Sequence, residues 1–222
     1  VMIQAVGEKR QLTEGEKNLL VPMIENSSND AATALWKKVG KADGVRTAMR
    51  RMGATHTTFD PESRWGLTST TAADQVVLAD HIFCPNTIIP ESMRAYAREL
   101  MSNVEDDQNW GMTAGMKSPF VKNGWLSRDD GWHVNSVAST GTKGYTVVGL
   151  THSATASMDD LVETIEGMAR IIARHQPRSV TTPSSSTAPT QTTAPKPQAV
   201  GDDHGHVSFR APGTRDIWIQ AF

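Results

Sequence analysis

The spacing of apolar residues changes near residue 120, and this change limits the folds open to the chain. Before that point apolar residues recur three or four positions apart, as in residues 14–25, which predicts amphipathic helices. Three short strand-like segments follow, separated by turn-forming residues: 120–126, 133–138 and 145–151. A helical spacing returns over 157–175. The sequence therefore predicts several helices, then a three-stranded antiparallel meander, then one long helix.

The composition changes a second time at Gln176. Residues 176–206 are rich in Ser, Thr, Pro and Ala, a composition typical of a disordered linker. Residues 1–175 then form a single domain. Residues 207–222 make a tail with two short apolar runs, for which we predict a short hairpin that is loosely attached or disordered, because an isolated hairpin is marginal in water.

Charge and cysteine content exclude several classes of function. The formal net charge is −2 with 21% charged residues, so the chain has no strongly basic face, and we expect no nucleic-acid partner. No stretch approaches the roughly 20 apolar residues that span a bilayer. The single cysteine, Cys84, excludes an intramolecular disulfide and an all-cysteine metal site, and its apolar neighbours predict a buried small hydrophobe.

Two polar motifs interrupt the apolar pattern. Ser27-Ser28-Asn29 lies between two predicted helices, and Lys122-Asn123-Gly124 lies in the first predicted strand. Taken alone, the first motif predicts only a helix cap, since Ser and Asn are favoured there. Taken alone, Lys122 is consistent with an ordinary solvated lysine on a strand. Their combination in one chain is more informative than either motif.

Together the motifs resemble those of the penicillin-recognising serine hydrolases, the class A β-lactamases and D-Ala-D-Ala peptidases. That family carries Ser-x-Asn in a helical subdomain and Lys-Thr/Ser-Gly on a strand of its sheet. Ser28 stands where the family commonly has Asp, and Asn123 stands where it has a hydroxyl residue. The resemblance covers roughly residues 1–175. It implies an α/β (α+β) fold with a helical subdomain, an antiparallel sheet and a C-terminal helix.

The resemblance implies acyl transfer on peptidoglycan D-Ala-D-Ala peptides or on β-lactams. Lys122 would anchor the substrate carboxylate, and Ser27 would face it and relay a proton towards the leaving nitrogen. Four further residues are expected to bind substrate: Asn29, Asn123, Gly124 and Trp125. Among them, Gly124 would let the substrate backbone approach the strand, and the Trp125 N–H would be one oxyanion-hole donor. No cofactor or metal is expected.

The chain departs from the family at the nucleophile. No Ser-x-x-Lys occurs in it, and in the family this helix comes just before the part that matches residues 1–12. We therefore expect an N-terminally truncated domain, marginally stable unless another chain supplies the family's first strands. The loop over residues 54–69 is short, and Glu62, its only glutamate, is expected on the surface. For an active full-length form we therefore expect slow deacylation, as in a peptidase or an esterase, at least as much as efficient β-lactam hydrolysis.

Two other functions stay open. One is a catalytically inactive remnant or cell-wall binding module that keeps the cleft, and the other is a helical interaction protein, which leaves the Lys122 strand unexplained. The family setting implies an extracytoplasmic protein, secreted or associated with the cell envelope. Residues 202–206 resemble a metal cluster but lack a scaffold. His133 and His152 are expected to be structural or solvated, and the oligomeric state is open.

Overall fold

The computed structural model describes residues 1–141 and 144–175, and the backbone of 206–209 and 217–221. Its helices are α1 (Met2–Gly7), α2 (Glu14–Glu25), α3 (Asn29–Lys38), α4 (Lys41–Met52), α5 (Ala72–Phe83), α6 (Glu91–Ser102) and α7 (Met158–His175). Its strands are β1 (Phe120–Arg128), β2 (Gly131–Ser139), β3 (Tyr145–Ser153), β4 (His206–Phe209) and β5 (Ile217–Ala221). Short 3-10 turns occupy Trp65–Leu67, Asp106–Gln108 and Gly111–Thr113. The predicted mixed helical and antiparallel fold is confirmed.

The start of α2 shows how local sequence sets an element. The Thr13 hydroxyl accepts a hydrogen bond from the Glu16 N–H at 3.2 Å, and the Glu16 carboxylate accepts one from the Thr13 N–H at 2.9 Å. This reciprocal capping box satisfies two amide groups that the helix leaves unpaired. The buried Glu16 also pairs with Arg10 at 2.8 Å, and that guanidinium lowers the Glu16 pKa to about 2. The cap thereby also ties α2 to the segment after α1.

The sheet has five strands in the order β1-β2-β3-β5-β4, with every neighbouring pair antiparallel. The first three form the predicted meander. Strands β4 and β5 lie in the tail and pair with each other, and β5 also pairs with β3 from Tyr145↔Ala221 to Val148↔Trp218. The reason is that the free edge of β3 offers unpaired N–H and C=O groups, and pairing there stabilises a hairpin that is marginal alone.

Helices cover both faces of this sheet. On one face α7 packs a cluster of buried side chains against the first three strands: Val121, Val134, Ala138, Val147, Leu161, Ile165, Ala169 and Ile172. On the other face α5 contributes Ala72 and Val76, which pack against Val148. Adjacent β3 residues thus point to opposite layers, as the alternation of a strand requires. The buried faces of the sheet set the register of its strands.

The remaining helices form a separate cluster beside the sheet. Its buried members are Ala5, Leu12, Leu20, Leu35, Ile89, Met93 and Leu100. Between these helices and the sheet lies a cavity of about 710 Å³, lined mainly by apolar side chains, with Lys122 and Gly124 in its wall. Among the described helices, none has both the length and the hydropathy needed to cross a bilayer.

Candidate active site

Ser27 lies in the turn that joins α2 to α3. Its neighbour Ser28 is the N-cap of α3, with a hydroxyl that accepts a hydrogen bond from the Ala31 N–H at 3.3 Å. Ser27 does not cap the helix; its φ of +55° places it in the left-handed region, which is uncommon for a residue with a Cβ. Of these two adjacent serines, Ser28 caps α3 and Ser27 does not.

Lys122 reaches Ser27 from the sheet. The Lys122 ammonium donates to the Ser27 hydroxyl at 2.9 Å and to the backbone carbonyl of Asn123 at 2.7 Å. The first contact joins residues from the helical part and from β1, which is an edge strand. The two motifs that the sequence singled out thus converge in one crevice between helices and sheet.

The Lys122 ammonium is partly removed from solvent. Burial lowers the pKa of Lys122 to about 8, and among the described residues no carboxylate offsets this loss of solvent. Lys122 forms no ion pair within the part of the chain that the structure describes. A partly desolvated cation with neutral hydrogen-bond partners is suited to receive an anion such as a substrate carboxylate.

The other predicted residues of the β1 motif point in different directions. The Asn123 side chain is buried and donates to the carbonyls of Gln108 and Trp110 at 2.8 and 3.0 Å. These two bonds use the amide nitrogen and support the segment before β1, while the buried Oδ1 atom has no hydrogen-bond partner among the described residues. Gly124 faces open space, since a Cβ added there meets no atom within 4 Å.

Trp125 and Asn29 lie at the margins of the site. Trp125 is 38% exposed, and its ring packs on the Trp110 ring, with centroids 5.7 Å apart and planes tilted by 58°. Asn29 is exposed in the first turn of α3, and its side chain takes part in none of the hydrogen bonds among the described residues. Of the six predicted site residues, the structure joins Ser27 and Lys122 by a direct hydrogen bond.

The segment between α4 and α5 brings further side chains to the cavity. The hydroxyls of Thr57 and Thr70 lie 2.8 Å apart, and both residues line the cavity beside Lys122. Asp74, buried in α5, accepts hydrogen bonds from the His56 N–H at 2.8 Å and from the Thr57 hydroxyl at 2.7 Å. Thr70 and Asp74 belong to the stretch from Trp65 to Asp74, which resembles the family, whereas Thr57 lies in an aperiodic stretch that gave no signal.

Glu62 lies on the outer surface of the same segment. Its side chain is 73% exposed and lies 3.5 Å from the Arg64 guanidinium. Arg64 also pairs with Asp60, and this contact lowers the Asp60 pKa to about 2. Glu62 therefore belongs to a surface ion-pair group, in agreement with the sequence-based expectation.

Several solved structures share this fold. A variant of the last common ancestor of Gram-negative class A β-lactamases matches with a TM-score of 0.58 and 20% identity, over 78% of this chain and 68% of that chain. The β-lactamase from Streptosporangium roseum matches with a TM-score of 0.58 and 18% identity, over 78% and 69%. A class A β-lactamase from Bacteroides cellulosilyticus matches with 0.59 and 16%, over 71% and 62%. The chain thus spans about two thirds of the length of these neighbours.

The antiparallel sheet covered on both faces and the adjoining helical part define the fold class of the penicillin-recognising serine hydrolases. The model of the β-lactamase enzyme family matches residues 5–176, and the chain belongs to that family. No curated protein sequence matches it.

Proposed function

We propose that this chain provides the substrate-anchoring half of an acyl-transferring serine hydrolase that acts on β-lactams or on D-Ala-D-Ala peptides of peptidoglycan. The observation that carries the proposal is the 2.9 Å hydrogen bond from the Lys122 ammonium to the Ser27 hydroxyl across the crevice. Acyl transfer on these substrates needs a carboxylate anchor next to a group that moves a proton, and this pair supplies both.

The neighbouring residues complete a binding surface in this proposal. Lys122 binds the substrate carboxylate, and Ser27 passes a proton to the leaving nitrogen. The open space in front of Gly124 admits the ligand backbone. Because β1 is an edge strand, alternate residues direct their N–H groups away from β2, and the Trp125 N–H serves as an oxyanion-hole donor. Asn29 contacts the ligand's amide side chain from the helical side.

The nucleophile comes from a Ser-x-x-Lys segment that this sequence does not contain. In the proposal that segment is a helix whose apolar face lies in the cavity of about 710 Å³, next to Lys122. The apolar lining of the cavity supports a hydrophobic occupant. Once acylated, the enzyme deacylates slowly, since the exposed Glu62 is paired with Arg64 rather than directed at the crevice.

The proposed setting is extracytoplasmic. Acting on peptidoglycan requires access to the cell wall, and the Ser/Thr/Pro-rich composition of residues 176–206 fits a linker in an exported protein. The proposed chemistry needs no cofactor, because a serine, a lysine and backbone donors perform it.

A fluorescent penicillin tests the proposal on the chain as it stands. We expect a reversible rise in fluorescence polarisation and no covalent adduct by intact-mass spectrometry. Lys122→Gln should weaken binding about tenfold or more, since a charge-assisted hydrogen bond contributes about 1.5–3 kcal/mol. Lys117→Gln is the matched control, because this exposed lysine lies just before the same strand. Equal binding by wild type and Lys122→Gln would refute the anchor.

Gly124→Ala tests whether the ligand lies against β1, and it does so without disturbing the fold. The added methyl group meets no protein atom within 4 Å, so the melting temperature should not change. The same methyl group would occupy the space proposed for the ligand backbone, so penicillin binding should weaken. A variant that binds as tightly as wild type would show that the ligand does not lie against β1.

The second candidate function is a binding module without chemistry, and it is favoured by Asn123, which stands where the family has a hydroxyl residue and donates to the carbonyls of Gln108 and Trp110. The coding region upstream of Val1 distinguishes the two. If it encodes Ser-x-x-Lys, a longer form should be covalently labelled by the fluorescent penicillin. A longer form that binds peptidoglycan peptides but is not labelled, under conditions that label an active homologue, supports the binding module.

A further inference from the structure

Three metal-ligating side chains converge where β1 turns into β2. Asp130 lies in the turn, His133 lies in β2 and His152 lies in β3. One donor atom from each lies within 4.8 Å of the other two. This group is separate from the Ser27–Lys122 crevice, and the proposed hydrolase chemistry does not use it.

The distances within the group suit a small divalent ion. The Nε2 atom of His133 lies 3.0 Å from one Asp130 carboxylate oxygen, and the Nε2 atom of His152 lies 3.6 Å from the other. Ligands of a tetrahedral Zn²⁺ with bonds of about 2.0–2.1 Å are separated from one another by about 3.3 Å. An ion can therefore be accommodated with small adjustments of the side chains.

The backbone holds these residues in place without a ligand. His133 and His152 are direct cross-strand partners, and their rings stack with centroids 4.4 Å apart. The turn is fixed at Gly131, whose φ is +110° and where a Cβ would approach the Ser153 carbonyl oxygen to 2.0 Å. Only glycine permits this close approach, which brings Asp130 over the end of β3. The ligands are thus pre-organised by the hairpin.

We propose that Asp130, His133 and His152 bind one Zn²⁺ ion. Two imidazole nitrogens and one carboxylate are a donor set that favours Zn²⁺ and its transition-metal neighbours over Mg²⁺ or Ca²⁺. Without an ion, His133 Nε2 contacts the Asp130 carboxylate at 3.0 Å, and His152 Nε2 donates to the Asp130 backbone carbonyl at 2.8 Å. With zinc bound, each imidazole would ligate through Nε2 and carry its proton on Nδ1, so both of these hydrogen bonds would be replaced. The side chains are 25%, 41% and 58% exposed for His133, His152 and Asp130, which leaves a coordination position for water.

Calorimetric titration of the full chain with ZnCl₂ tests the proposal. We expect one site per chain, a higher melting temperature in zinc, and no heat with MgCl₂. His133→Ala and His152→Ala should each weaken zinc binding about tenfold or more, and Asp130→Asn, which keeps the side-chain shape, should also weaken it. Circular dichroism of each variant verifies that the hairpin has folded.

Two controls identify the site. His175→Ala, at the exposed end of α7, should bind zinc as wild type does. His204→Ala combined with His206→Ala removes the other histidine cluster of the chain and should also leave binding unchanged. Absence of a zinc signal from wild type, or loss of the signal in the His204/His206 variant alone, overturns the proposal.

Discussion

At the scale of single residues, Lys122 makes the stability of the fold depend on pH. Burial lowers its pKa from 10.5 to about 8, so between these values the unfolded chain binds a proton that the folded chain does not. The free energy of unfolding therefore rises as pH increases from about 8 to 10.5. Below pH 8 Lys122 is charged in both states, and the folded chain bears the full cost of burying that charge. Ligand binding should weaken over the same rise, because the anchor loses its charge.

Lys122→Met should remove this dependence. We expect the variant to gain stability relative to wild type at pH 7 and to lose that advantage towards pH 10, as measured by urea unfolding at several pH values. Subtracting the variant's unfolding free energies from those of wild type, pH by pH, cancels the contributions of the other titrating groups. Lys117→Met, at an exposed position, should have an unfolding free energy that changes with pH as that of wild type does. Parallel curves for Lys122→Met would mean that the ammonium is well solvated.

Ser27 combines an unfavourable backbone conformation with a hydrogen bond to Lys122. Ser27→Ala should lose the hydrogen bond and keep the strain at φ +55°. Ser27→Gly loses the same hydrogen bond but tolerates the left-handed conformation, so it should be more stable than the alanine variant by about 1 kcal/mol. Chemical denaturation of both variants measures the difference. An alanine variant as stable as the glycine variant would mean that the turn relaxes.

At the scale of elements, Asp74 links α5 to the segment that follows α4. Asp74→Ala would leave the N–H groups of Thr55 and His56 without their acceptor. We expect a loss of about 2–3 kcal/mol, because unsatisfied buried donors are costly. Asp43→Ala is the control, since Asp43 forms an exposed pair with Arg46 on α4 and should cost less than about 1 kcal/mol. Equal effects would show that the segment is held by packing alone.

Some helices and strands can be predicted from sequence patterns alone, and others cannot. The capping box at Thr13 and the helical spacing after it predict α2 over 14–25, the range found. The meeting of Ser27 with Lys122 was predicted by resemblance to a family, because no spacing rule joins positions so far apart. The sequence of β5 does not specify which strand edge it will pair with, so its place beside β3 was not predictable. The interior role of Asn123 depends on carbonyls of the preceding segment, which leave no mark in the sequence pattern.

At the scale of the whole molecule, the sheet joins segments from both sides of residues 176–205. Strand β3 is buried on both faces, with Val147 and Val148 fully buried, and its outer edge is paired with β5. A chain that ends at His175 would keep the apolar faces but expose a row of unpaired backbone groups. We therefore expect the tail to stabilise the domain, although the composition of residues 176–206 separates it from residues 1–175 in the sequence.

Truncation after His175 should lower the free energy of unfolding by about 2–4 kcal/mol, from the lost ladder hydrogen bonds, and should promote self-association through the exposed edge. Thermal melts and sedimentation velocity measure the two effects. A synthetic peptide of residues 206–222, added to the truncated chain, should restore the melting temperature, because strand pairing does not require covalent continuity. A truncated chain that stays monomeric and has the same melting temperature as the full chain would show that β3 is stable as an edge strand and that the tail does not stabilise the domain.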